Sequence, residues 1–131
     1  MANDIIVSTE NALALSEEVD VGKLIKPLQN EIHLFDSFIA GTTHLEDESV
    51  LEKLQVGDKL LFRRDPNNRF DDKAILVLNK DKEKLGFIPE KDNTIFARLM
   101  DAGKMLGGKV TEIKKKGSFT QIAMGIYLVD F

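Results

Sequence analysis

The chain has no cysteine, which excludes disulfides and thiolate metal sites. It has only two histidines, His33 and His44. A zinc site would have to be built on carboxylates, which zinc proteins seldom use alone, so neither metal nor cofactor is expected. No apolar run approaches the roughly 20 residues of a membrane-spanning helix. The opening Met1-Ala2-Asn3-Asp4-Ile5-Ile6-Val7 lacks the basic start and long apolar stretch of a secretory signal. The expectation is a cytoplasmic protein with no membrane partner. No P-loop or helicase motif occurs, so any ATPase work belongs to another protein. An overall basic excess is absent too: the net charge is −4 and the pI about 5.2. That argues against a general coat on DNA, whose nonspecific affinity needs many cation–phosphate contacts.

What is there is unevenly spread. Residues 1–57 hold 11 acidic residues against 3 lysines, and residues 58–131 hold 15 basic residues against 11 acidic. A locally basic surface on an acidic protein is compatible with this. The most loaded stretch is Arg63-Arg64-Asp65-Pro66-Asn67-Asn68-Arg69-Phe70-Asp71-Asp72-Lys73. It lies between two short apolar runs that read as strands, with Pro66-Asn67-Asn68 as turn chemistry. A hairpin loop needs only a turn. Cations for phosphate, an aromatic for stacking, and amides and carboxylates for base or sugar groups suit a nucleic-acid site.

At 131 residues the chain fits one domain. Residues 1–31 read as a helical extension of one or two short helices that packs on the domain or on a second copy of it, which would support a homo-oligomer. From Ile32 a strand runs to Gly41, half-buried and with a break in phase near Asp36-Ser37, and Thr42–Leu45 continues the sheet. Strands end at Phe62, cover 74–79, and return through Leu85-Gly86-Phe87-Ile88. Ile95, Phe96, Leu99 and Met100 mark one face of a helix from about Lys91 to Ala102, with Gly103 as its stop. A basic turn, Lys114-Lys115-Lys116-Gly117, precedes a long last strand from Phe119. The fold class is mainly β: a small closed barrel of five to six strands, one inserted helix and the N-terminal helical extension.

Residues 32–131 resemble the HIRAN domain. The resemblance is carried by Phe38-Ile39-Ala40-Gly41, by Val56-Gly57-Asp58-Lys59-Leu60, by Arg64 through Ile75, and by Leu85-Gly86-Phe87-Ile88-Pro89. It implies an OB-like barrel and a module that captures single-stranded DNA at a free 3′-OH end, in DNA repair or processing, working with a helicase or nuclease partner. On the same resemblance, Phe38 and Phe70 wall the terminal bases and Asn68 bonds a base edge or the backbone. Asp71 accepts from the 3′ hydroxyl, Lys91 faces a phosphate and Phe119 closes the pocket. Arg64, in the same motif, joins them as a nucleic-acid contact. Phe38 and Phe70 stand where tyrosines are common in the family, and Ser37 where a basic residue is expected.

The residues taken alone leave other roles open. Phe38 and Phe70 also read as core, Asn68 as a turn residue, Asp71 as an acceptor that caps the loop, and the three lysines as a solvated hairpin tip. Two further function classes remain. One is a metal-dependent hydrolase of nucleic acid with Asp65, Asp71 and Asp72 on Mg²⁺, although adjacent carboxylates on a strand end point to opposite faces. The other is a protein-interaction module using the acidic N-terminal segment.

Overall fold

A computed structural model describes residues 30–130. Of the helical extension expected over residues 1–31, Asn30 and Glu31 instead begin a strand, and the rest, with any self-association through it, lies outside the described residues. Residues Glu31–Asp130 form one compact unit. Its strands are β1 (Asn30–Phe38), β2 (Lys59–Arg64), β3 (Ile75–Leu78), β4 (Lys84–Phe87), β5 (Met105–Lys116) and β6 (Phe119–Asp130), with a short helix α1 (Ser49–Glu52) and a longer one, α2 (Glu90–Asp101). The six strands form one sheet in the order β1-β6-β5-β2-β3-β4, and the β2–β3, β2–β5, β3–β4 and β5–β6 pairs are antiparallel.

The sheet curls into a half-barrel. Where a closed barrel was expected, the described residues tie the two ends of the strand order by one isolated bridge, Ala40 to Phe87. Ala40 N–H donates to Phe87 O at 2.8 Å and Phe87 N–H donates to Ala40 O at 2.8 Å. Such a close approach requires a glycine beside it, because a Cβ on Gly86 would overlap the Ala40 carbonyl oxygen.

Alternation explains which side chains enter the core. On β6, Ile122, Met124 and Ile126 are fully buried at every second position. On β2, Leu60 is buried and Phe62 packs on the core, while Lys59, Leu61 and Arg63 face out. On α2, the helical period buries Asn93, Phe96 and Ala97 and packs Leu99 and Met100 against the same core. Ile95, expected on that face, is exposed instead. Gly103, at φ 91°, closes α2 as expected: its N–H donates to Met100 O at 2.9 Å and Lys104 N–H to Leu99 O at 3.0 Å.

Two local readings change. Thr42–His44 does not continue the sheet but forms a 3₁₀ turn, because Gly41 at φ 78° swings the chain out of the extended conformation. The strand β1 is not half-buried: Ile32, Leu34, Phe35 and Phe38 are exposed and Ser37 alone is buried within it. The chain enters the core one residue later, at Ile39, whose N–H donates to Ile122 O at 2.9 Å.

Candidate functional site

The loop between β2 and β3 is built by three polar side chains spaced three residues apart. Asp65 Oδ2 accepts from Asn68 Nδ2 at 3.0 Å. Asn68 Oδ1 accepts the main-chain N–H groups of Phe70 and Asp71, at 3.0 and 3.2 Å. Asp71 Oδ1 accepts the N–H of Lys73 at 2.9 Å. These are short-range side-chain turns, in which the side chain mimics a backbone acceptor. The turn role open to Asn68 and the capping role open to Asp71 are therefore both realised.

Arg64 braces this loop from below. Its side chain is 14% exposed. Nε donates to Asp101 Oδ1 at 2.9 Å, Nη1 to Ala74 O at 2.6 Å, and Nη2 to Asp72 O at 2.9 Å and Asp101 Oδ2 at 3.3 Å. The hydrogen bond from Arg64 holds the Asp101 carboxyl below its ordinary range. The guanidinium is thus committed to two carbonyls and a carboxylate rather than presented to solvent. Arg63, Arg69 and Lys91 are exposed, and none of them forms an ion pair within 4.0 Å among the described residues.

With its backbone held on both sides, Phe70 projects outward and is 89% exposed. Burying a phenylalanine is ordinarily worth about 1.5–3 kcal/mol, so this loop forgoes a large hydrophobic gain. Beside the ring lies a cleft of about 290 Å³ lined by Ala40, Gly41, Asn68, Phe70, Asp71, Ala74, Phe87, Ile88 and Glu90. The loop forms one wall, and the Ala40–Phe87 bridge lies in the other. Its lining contains two carboxylates and no lysine or arginine.

Three of the seven site residues expected from the sequence bear on this cleft in different ways. Asn68, Phe70 and Asp71 line it; Phe38, Arg64, Lys91 and Phe119 do not. Phe38 is exposed at the end of β1, two residues before Ala40. Lys91 stands on the first turn of α2, next to the lining residue Glu90. Phe119 is exposed at the start of β6, beside Thr120, whose carbonyl accepts from Thr42 Oγ1 at 3.5 Å. That bond brings the start of β6 next to the residue after Gly41.

Ala40, Gly41, Ala74, Phe87, Ile88 and Glu90 were missed as lining residues, although all but Glu90 lie in stretches that were singled out. The glycines were the available signal, because each marks a close approach or a turn. Asp65, Asp71 and Asp72 do not converge: among the described residues no group of three His, Cys, Asp or Glu comes together. Among those residues, too, no helix is long and apolar enough to cross a membrane.

The fold and the cleft define a small, mainly β module with an aromatic and two carboxylates at one end of the sheet. The HIRAN domain family matches residues 32–128, and the chain belongs to that family. A crystal structure of a protein from Lactobacillus plantarum is similar with a TM-score of 0.72 and 28% identity, over 79% of this chain and 99% of that one. The crystal structure of the HIRAN domain of human HLTF is similar with a TM-score of 0.63 and 19% identity, over 80% of this chain and 82% of that one. The NMR structure of the HLTF HIRAN domain gives 0.56 and 18%, over 76% and 79%. No curated protein matches the chain.

Proposed function

We propose that this HIRAN protein is a DNA-binding module that captures the free 3′-OH end of a single strand, with the terminal nucleoside in the cleft beside Phe70. The observation that carries the proposal is an aromatic ring held 89% exposed by a loop whose next residue presents a carboxylate to the same cleft. Stacking on such a ring is worth about 1–3 kcal/mol per base and tolerates any base. Asp71 accepts from the terminal hydroxyl. Each of its oxygens already takes one protein donor, and a carboxylate has about four acceptor positions, so acceptor capacity remains.

The lining charge sets the selectivity. Two carboxylates with no cation among them disfavour a phosphate in the cleft. A 3′-phosphate or a continuing strand is therefore rejected, and the phosphates of the bound strand lie outside. Lys91, next to the lining residue Glu90, and Arg69, next to Phe70, are both exposed and are the cations that meet them. Phe38 supplies a second stacking surface and Phe119 flanks the strand. Asn68 offers its remaining amide N–H to a base. Arg64 acts indirectly, by holding the loop. A site with few phosphate contacts also suits an acidic protein.

Fluorescence anisotropy with labelled single-stranded oligonucleotides ending in 3′-OH, in 3′-phosphate, or with both ends blocked tests the proposal. Preferential binding of the 3′-OH strand, lost in Asp71→Ala, supports it. Equal binding of all three, or no binding to any, overturns it. The latter outcome would favour a protein-interaction role.

A further inference from the structure

The Asp71 carboxylate has a second hydrogen bond, from helix α2. Asn93, on the first turn of α2, donates from Nδ2 to Asp71 Oδ2 at 2.7 Å. Asn93 is 2% exposed. It occupies the inward stripe of α2 with Phe96 and Ala97, where an apolar residue would ordinarily sit. A buried amide is costly unless bonded, and this one spends a donor on the carboxylate assigned above to the terminal hydroxyl. The preceding residue does the same for the other aromatic: Asp92 Oδ2 accepts from Ser37 Oγ at 2.9 Å, and Ser37 is the buried neighbour of Phe38. Consecutive residues of one helical turn therefore hold Phe38's strand and Phe70's loop.

We infer that Asn93 is the positioning residue of the end-binding site, with Asp92 as its companion through Ser37. Two different donors fix the two Asp71 oxygens, the Lys73 main-chain N–H and the Asn93 amide, so the carboxylate cannot rotate. A carboxylate locked in this way presents its free lone pairs in one direction. That converts a generic acceptor into one that distinguishes a hydroxyl from a phosphate. The inference rests on the end-capture reading of the same cleft.

The test is Asn93→Asp, which keeps the size and replaces the donor by a carboxyl. Two carboxylates at hydrogen-bond distance share one proton. Glu90 and Asp92 on the same turn, and Asp72 and Lys73 on the loop, are the neighbouring charges. At pH 5 the shared proton restores the donor, and 3′-OH affinity should approach that of the parent. At pH 8 repulsion displaces Asp71, and affinity should fall at least tenfold while the parent changes less than threefold. Asn93→Ser, too short to reach, should lose most of the 3′-OH over 3′-phosphate preference without the new pH dependence. Circular dichroism melts establish that both variants fold. If the parent prefers 3′-OH but both folded variants keep that preference at every pH, Asn93 has only a packing role and the inference falls while the functional reading stands. If the parent shows no preference, the functional reading fails and takes the inference with it.

Discussion

The β2–β3 loop and the β5–β6 hairpin tip are both polar, exposed and lysine- or arginine-bearing, yet they are built differently. The loop is held by its own side chains, by Arg64 and by Asn93. The tip, Lys114-Lys115-Lys116-Gly117-Ser118, is an ordinary two-strand turn with Gly117 at φ 65°, and its lysines point to solvent. One of them, Lys114, lies 3.6 Å from Glu112, a surface pair worth little. Charge alone does not distinguish the loop proposed to bind DNA from a solvated tip. Preorganisation does, because a group already fixed in place loses less conformational entropy on meeting a ligand.

The comparison breaks most severely at Gly86→Ala. The added Cβ forces apart the Ala40–Phe87 bridge that closes the cleft opposite the loop, while leaving the tip untouched. Overpacking plus two lost backbone hydrogen bonds should cost about 3 kcal/mol or more, read as a lower urea midpoint with unchanged slope. Arg64→Ala comes next. Removing the brace takes the side-chain donor from the Asp72 carbonyl and one of two donors from the Ala74 carbonyl, which keeps the Asp65 N–H, and should cost about 1–2 kcal/mol, with DNA affinity falling as the loop loosens.

Phe70→Ala should leave stability within about 0.5 kcal/mol, since the ring is largely exposed, but weaken 3′-OH strand binding by roughly tenfold in anisotropy titrations. If affinity holds, the loop is not the platform. A smaller effect is pH-dependent. The folded Asp101 carboxyl titrates below its unfolded value because Arg64 bonds the ionised form. Its stabilisation is present above the unfolded pKa and disappears as pH falls through the folded one. Urea midpoints measured from pH 5 down to pH 2 should therefore drop further in the parent than in Arg64→Gln. Last, replacing Lys114, Lys115 and Lys116 together by Gln should leave both stability and end preference unchanged. Loss of end preference there would move the site to the tip.

Much of the loop was legible because its bonds are local. Asp65, Asn68 and Asp71 bond groups two or three positions away, so their spacing alone signals the turns. The strands followed from short apolar runs bounded by turn residues, and α2 from its period and its glycine stop. What misled was exposure. Phe38 and Phe70 read equally as core or surface, and Ile95 was placed on the buried face, because burial depends on which side of an element meets a partner. Arg64 had the residue type for phosphate, and only its long-range neighbour Asp101 shows that it is otherwise engaged.

The amino-acid order by itself determined the antiparallel strand pattern, the self-bonded loop and the family, because these rest on contacts or motifs within a few residues. The folded chain alone decided that Ala40 meets Phe87, that Arg64 meets Asp101 and that Asn93 reaches Asp71. Those partners lie 22 to 47 positions apart, and no local periodicity encodes them. They are selected when the curled sheet brings its edges and α2 together and each buried polar group must find a partner.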